Sequence, residues 1–210
     1  MGIGRGIYLE TFITNMWVMM PNSEAIQNEI NKHASFPPEH TPFSGHIENL
    51  YEDCLLRPGI FVELGVFNVG PVSTSAFLAA AIETDSVLFS CDIEPCEHTR
   101  QYVKKHFDIA DDGGLWTFHQ GDSVQFGKDW PRSWQVNVLL IDTAHTAKQT
   151  QKELEVWLPL LAPNRVAFCH DTVSHPEGVR VPIEEYAATH PWFEWENRED
   201  SHGLGVIWRK

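Results

Sequence analysis

The stretch from Leu139 to Thr172, LLIDTAHTAKQTQKELEVWLPLLAPNRVAFCHDT, decides the fold. It is entered through VNVLLID (136–142), an apolar, β-branched run that reads as a buried strand. TAKQTQKELEVWLPLLA (146–162) follows, with Leu154, Trp157, Leu158 and Leu161 at spacings that share one helical face. RVAFCHD (165–171) is a second strand. A strand, a helix and a strand in this order form a parallel crossover unit. Both strands end in acids and imidazoles: Asp142 with His145, and His170 with Asp171. Such groups are costly to bury unless paired or bound, so two such strand ends side by side call for a chemical explanation.

The same rhythm extends outward in both directions. HIENLYEDCLL, STSAFLAAAIE, CEHTRQYVKKHF and VRVPIEEYAATH read as helices, and GIFVELGV, VLFSCDIE and LWTFHQGD as strands. A short irregular stretch with Trp130 and Trp134 precedes the fourth strand. This alternation predicts a mostly parallel Rossmann-like α/β sheet with helices on both faces. The end departs from it. WFEWENRE and GLGVIWRK are both strand-like, with only the residues around Asp200–His202 between them, so they form an antiparallel hairpin. Residues 1–45 differ from the rest: a short helix in PNSEAIQNEINKHA, capped by Ser23, leads into the proline-rich SFPPEHTPFSG. They read as an extension that covers the site or contacts a second subunit, ahead of one domain over 46–210. The apolar MWVMM run within them is the motive.

Composition narrows the partners. The chain has 210 residues, 42% of them hydrophobic and 21% charged, enough for one well-packed core. A net charge of −14 repels nucleic acid and anionic membrane, so neither is expected as a partner. Four cysteines without zinc-like spacing read as free thiols in a reducing compartment. IYLETFITNMWVMM is too short and too often interrupted by polar residues to span a bilayer. A cytoplasmic protein is expected.

In an open α/β sheet, ligands bind beyond the carboxyl ends of the strands. The first strand ends in ELGVFNVGPVST, where Gly65 and Gly70 let backbone pass close to a ligand and Glu63 precedes the turn. Asp92 closes the second strand, 22 residues after Gly70. That spacing suits a nucleotide-binding unit whose acid accepts from ribose hydroxyls. Asp122, after the third strand, is placed to accept from an adenine amino group or to cap the next turn. Asp142 and Asp171 converge if the fourth and fifth strands are neighbours, and paired carboxylates suit a hard divalent cation. His145, one helical turn beyond Asp142, is placed to take a proton near neutral pH. Alternation along the fifth strand sets His170 and Asp171 on opposite faces, so His170 is expected to face a helix if Asp171 faces a metal. The competing structural reading makes Asp142 a helix cap and leaves both histidines bonded to backbone.

Taken together, FVELGVFNVGPVST, LFSCDIEP, FHQGDS, VNVLLIDTAH, LEVWLPLLAPNRVAFCHDT and HGLGVIWR resemble the class I S-adenosylmethionine (SAM)-dependent methyltransferases. The branch they are most similar to contains small metal-dependent O-methyltransferases of the macrolide-sugar type and cephalosporin-type tailoring enzymes. The resemblance covers residues 46–210 and implies a seven-stranded sheet ending in a hairpin. It implies methyl transfer from SAM to a hydroxyl of a small-molecule acceptor. Glu63, Gly65 and Gly70 then fall on the methionine part of the cofactor, Asp92 on the ribose and Asp122 near the adenine. Asp142 and Asp171 fall on ligands for Mg2+ or Mn2+, His170 where some relatives carry a ligand, and His145 on the general base. The chain departs from the pattern at Pro71, at Thr143 and Ala144 after Asp142, and at the APNR turn before the fifth strand. Because folds host many functions, two rivals stand beside this reading: a tailoring enzyme that binds the cofactor without methyl transfer, and a non-catalytic binding protein.

Overall fold

The computed structural model describes residues 46–68, 72–111 and 113–210. Seven strands form one sheet in the order β3-β2-β1-β4-β5-β7-β6. They are β1 (Ile60–Leu64), β2 (Val87–Asp92), β3 (Trp116–Gln120), β4 (Val136–Ile141), β5 (Leu161–His170), β6 (Phe193–Arg198) and β7 (Leu204–Arg209). The first five are parallel, and β7 runs antiparallel to both β5 and β6, as the short Asp200–His202 connection requires. The helices are α1 (Ile47–Leu56), α2 (Val72–Thr84), α3 (Glu97–Phe107), α4 (Ser123–Asp129), α5 (Ala147–Trp157) and α6 (Val181–Thr189). The expected mostly parallel Rossmann-like α/β sheet with a closing hairpin is the observed one.

Strand alternation divides the core in two. Phe61, Val138, Leu140 and Phe168 pack with Phe77, Leu78 and Trp116 on one face of the sheet. Val62, Leu139, Ile141 and Cys169 pack with Leu154, Trp157 and Leu158 on the other. The central strands are apolar on both sides because helices cover both. All four cysteines are buried and unbridged. Among the described residues, no helix is long and apolar enough to cross a membrane.

Three local expectations are refined. The irregular stretch before β4 contains the short helix α4, whose first turn is capped by Asp122 accepting from the Gln125 amide at 2.7 Å. The helix of the opening stretch ends at Trp157 and tightens into a 3-10 turn over Leu158–Leu160, where Pro159 has no amide to continue it. β5 begins earlier than expected, at Leu161. The APNR segment is a bulge within it, with Asn164 at φ 59° and the β4 pairing jumping from Val136↔Leu161 to Val138↔Val166. The extension over residues 1–45 lies outside the described residues.

Candidate active site

The carboxyl ends of β1 to β4 open into a cleft of about 400 Å³. Gly65, Asp92, Asp122 and Asp142, four of the residues singled out in the sequence, line it. They are joined there by Cys91, Ser123, Thr143 and Gln149. Gly65 sits at φ +88°, and a Cβ on it would lie 1.9 Å from the carbonyl oxygen of Asp142. Glycine is therefore required to let the β1 turn pass over the end of β4. Gly70 lies outside the described residues.

Asp92 is not a helix cap, because α3 starts only at Glu97 behind Cys96. Its carboxylate accepts from the amides of Val66 and Glu94, each at 2.8 Å, and so ties the β1 and β2 turns together at the cleft wall. Asp122 both lines the cleft and caps α4. Glu63 is placed differently from the expectation. It is completely buried beneath the cleft rather than lining it, and accepts from Ser73, Thr74 and Ser90. Burial pushes its carboxyl up to about 7 despite those three hydroxyls.

Beside the cleft, sharing Asp142 with it, the ends of β4 and β5 bring together Asp142, His145, His170 and Asp171. One donor atom from each lies within 4.8 Å of every other. His145 Nε2 is 2.9 Å from Asp142 Oδ1 and 3.1 Å from Asp171 Oδ2. His170 Nδ1 is 3.4 Å from Asp142 Oδ1 and 3.6 Å from Asp171 Oδ1. Asp142 does not cap α5, whose N-cap is Thr146 with no side-chain cap bond.

The orientation of His170 corrects the expectation that it faces a helix. Alternation holds only while the backbone stays extended, and Asp171 has φ +69°. Its amide is held by the Gly203 carbonyl at 3.0 Å, and its own carbonyl accepts from the His175 amide at 2.8 Å. The left-handed turn swings the Asp171 carboxylate back onto the side of His170, which is 2% exposed. His145 is likewise in a left-handed conformation, at φ +48°, in the loop between β4 and α5. Gly178, in the π-helical turn Pro176–Arg180, presses on that loop: a Cβ there would lie 2.0 Å from the His145 carbonyl oxygen.

The electrostatics follow from this packing. Burial works against a charge on His170, but the Asp142 and Asp171 carboxylates prevail and push it up to about 10. Hydrogen bonding to Asp142 raises His145 against its own burial. Burial would raise both aspartates, yet the two imidazoles hold them below the usual carboxylate range. The four side chains thus form a charge-compensated cluster. Two carboxylates and up to two imidazole nitrogens suit a divalent cation, which would take the place of the imidazolium charge. Three further histidines surround it. His175 and His202 approach Asp171 at 3.8 and 3.7 Å, and the buried His46 ring meets that of His170 edge-on at 5.8 Å.

Sequence reasoning missed Ser123, Gln149 and Glu153. Glu153 is fully buried on the face of α5 that carries Thr150, Leu154 and Trp157, so an acid at the period of the apolar stripe was the readable signal. No comparable signal marked His46, His175 or His202, which reach the cluster from separate segments.

Sheet order, closing hairpin and a cleft at the strand ends define the class I SAM-dependent methyltransferase fold. The sequence matches the family described as "Methyltransferase domain" over residues 62–172, more than half of the chain, and the protein belongs to that family. Solved structures agree on the fold. The O-methyltransferase TomG from Streptomyces achromogenes, involved in tomaymycin synthesis and solved in complex with SAM, superposes with a TM-score of 0.66 at 16% identity, covering 94% of this chain and 95% of that one. The SAH-bound methyltransferase PaMTH1 from Podospora anserina gives 0.62 at 11% identity, covering 100% and 98%. MycE of the mycinamycin biosynthetic pathway, in complex with Mg, SAH and mycinamycin VI, gives 0.59 at 12% identity, covering 88% of this chain and 54% of that one. No curated protein matches the chain.

Proposed function

We propose that the chain transfers the methyl group of SAM to a hydroxyl oxygen of a small molecule, with a divalent cation at Asp142, Asp171 and His170 and with His145 as general base. The observation that carries this reading is the convergence of these four side chains beside a cleft that shares Asp142 with them. The TomG and MycE structures support it by analogy of fold, MycE having been solved with Mg. A bound cation supplies charge that lowers the pKa of the acceptor hydroxyl. The imidazole nitrogen of His170 favours Mn2+ over Mg2+ in such a donor set.

The chain's own groups do the rest. Gly65 and Asp92 hold the methionine and ribose parts of SAM, and Asp122 the adenine end. His145, 23% exposed and oriented by its Nε2–H donating to Asp142, takes the acceptor proton on the other ring nitrogen. The acceptor oxygen forms its bond to the methyl carbon as the carbon–sulfur bond breaks, and S-adenosylhomocysteine (SAH) leaves. Positioning supplies much of the rate. The non-catalytic reading loses its main support, because Asp142 is not a cap and His145 faces two carboxylates rather than backbone. The strongly acidic chain favours a small acceptor over nucleic acid.

Calorimetry with SAM, with and without Mn2+ or Mg2+, followed by a mass-shift screen of hydroxylated small molecules, tests the proposal. Binding of SAM and a methylated product are expected. Absence of SAM binding overturns the reading.

A further inference from the structure

The position of Asp171 is set from outside its own strand. Residues 171–174 lie against the turn between β6 and β7, which runs through Asp200, Ser201, His202 and Gly203. The Asp171 amide donates to the Gly203 carbonyl at 3.0 Å, and the amides of Val173 and Ser174 donate to the His202 carbonyl at 2.9 and 3.1 Å. Ser174 Oγ then donates to Asp171 Oδ1 at 2.5 Å and fixes the carboxylate. The two backbones touch: a Cβ on Gly203 would lie 2.4 Å from Thr172 Oγ1 and 2.5 Å from the Val173 nitrogen. Where this turn goes, Asp171 follows.

His46 stands between the turn and His170. It is 1% exposed. Its ring meets the His170 ring edge-on at 5.8 Å, and its Nε2 lies 3.2 Å from Asp200 Oδ2. Asp200 in turn receives the Gly203 amide on its carbonyl at 3.0 Å, so it belongs to the same hydrogen-bonded turn. The His46 main chain is anchored by α1, its carbonyl accepting from the Leu50 amide at 2.9 Å. Among the described residues neither nitrogen of the His46 ring has a well-aligned hydrogen bond, so Asp200 is met by a close charge–dipole contact. A polar ring buried this way costs stability, and an apolar side chain would fill the space at lower cost. Packing alone therefore does not account for a histidine here, whereas a link from α1 to Asp200 does. His46 is not among the four side chains whose donor atoms converge, so any effect on a cation passes through its neighbours.

We propose that His46 is a positioning residue for the cation site, holding the β6–β7 turn through Asp200 so that the turn holds Asp171 on the side of His170. The inference rests on the reading that Asp142, Asp171 and His170 bind a divalent cation, and it names what keeps two of those ligands in register. Side chains that orient metal ligands from behind contribute to affinity although they never touch the ion.

The test measures Mn2+ binding to the full chain by electron paramagnetic resonance, beside thermal unfolding without metal. His46→Leu should unfold at the parent's temperature or above it, yet raise the Mn2+ dissociation constant by roughly tenfold. His46→Gln keeps a donor near the place of Nε2 and should recover most of the affinity. Asp200→Ala, at a side chain 59% exposed, should weaken Mn2+ by a similar factor. The double variant His46→Leu/Asp200→Ala should be no weaker than either single one, because both break the same link. A purely structural role for His46 would change the unfolding temperature and leave the dissociation constant of the folded protein alone. A parent-like dissociation constant in either His46→Leu or Asp200→Ala overturns the inference, as does a double variant whose loss is the product of the two. Should His46→Leu fail to fold, a parent-like constant in Asp200→Ala is sufficient to overturn it. A parent that does not bind Mn2+ sinks the inference together with the metal reading.

Discussion

His145 and His170 touch the same two carboxylates, yet the proposed function gives them different tasks. His145 is 23% exposed, while His170 is 2% exposed. A base must reach its substrate, and a ligand need only reach the metal. His145→Ala should lower the single-turnover rate of methyl transfer by about 10²–10⁴-fold with little change in SAM affinity. His170→Ala should instead weaken Mn2+ binding, read by metal titration, and restore part of its rate at high Mn2+. The opposite pattern would exchange their roles. Glu63 makes a different prediction. Its folded pKa of about 7 lies above the ordinary 4.5, so the folded state holds a proton that the unfolded chain has released. Its contribution is fully present below pH 4.5 and is lost as pH rises through about 7. A shift of this size corresponds to something on the order of 3 kcal/mol. Glu63→Gln should flatten that part of the stability–pH curve, measured by denaturant unfolding, relative to the parent. A curve of unchanged shape would mean that Glu63 ionises normally in the folded protein.

At the level of elements, two backbone turns build the cluster. The left-handed turns at His145 and Asp171 bring side chains from the ends of β4 and β5 onto one point. The π-helical turn Pro176–Arg180 fits against the first of them only because Gly178 has no side chain. Gly178→Ala should push the two backbones apart, costing about 1–3 kcal/mol in thermal denaturation. Single-turnover methyl transfer should fall further than that loss implies, since His145 moves with its loop. Normal stability together with a normal rate would show that the turn yields without disturbing the site. These elements were only partly legible in the chain. The strands and α5 announced themselves through apolar period, and the acids through their places after strands. The αL geometry of His145 and Asp171 did not, because neither residue type demands it. It is imposed by Gly178 and by the Gly203 carbonyl, 33 and 32 residues further along the chain.

For the molecule as a whole, the proposed division of labour places the cofactor cleft over β1–β4 and the reacting cluster over β4–β5, with Asp142 common to both. Chelation should therefore reduce methyl transfer while leaving SAM binding largely intact, with Mn2+ restoring activity. Full turnover after exhaustive chelation would leave Asp142 and Asp171 as partners of His145 and His170 in metal-free acid–base catalysis. Residues 1–45 are proposed to cover the cofactor or acceptor site or to join a second copy. Deleting them should lower acceptor turnover or halve the mass in solution while the sheet remains folded by circular dichroism. Unchanged kinetics and unchanged mass would rule out both roles.

Local patterns were enough to establish the alternation of strands and helices, the closing hairpin, and the acids at the strand ends. Period and turn residues act over a few positions, and each such signal can be read where it stands. The shared face of His170 and Asp171, the withdrawal of Glu63 beneath the cleft, and the grouping of Ser123, Thr143 and Gln149 around Glu153 were settled only by tertiary packing. Each depends on which distant backbone or hydroxyl arrives to satisfy a buried polar group. That pairing is fixed by the sheet order β3-β2-β1-β4-β5-β7-β6 and has no signature along the chain.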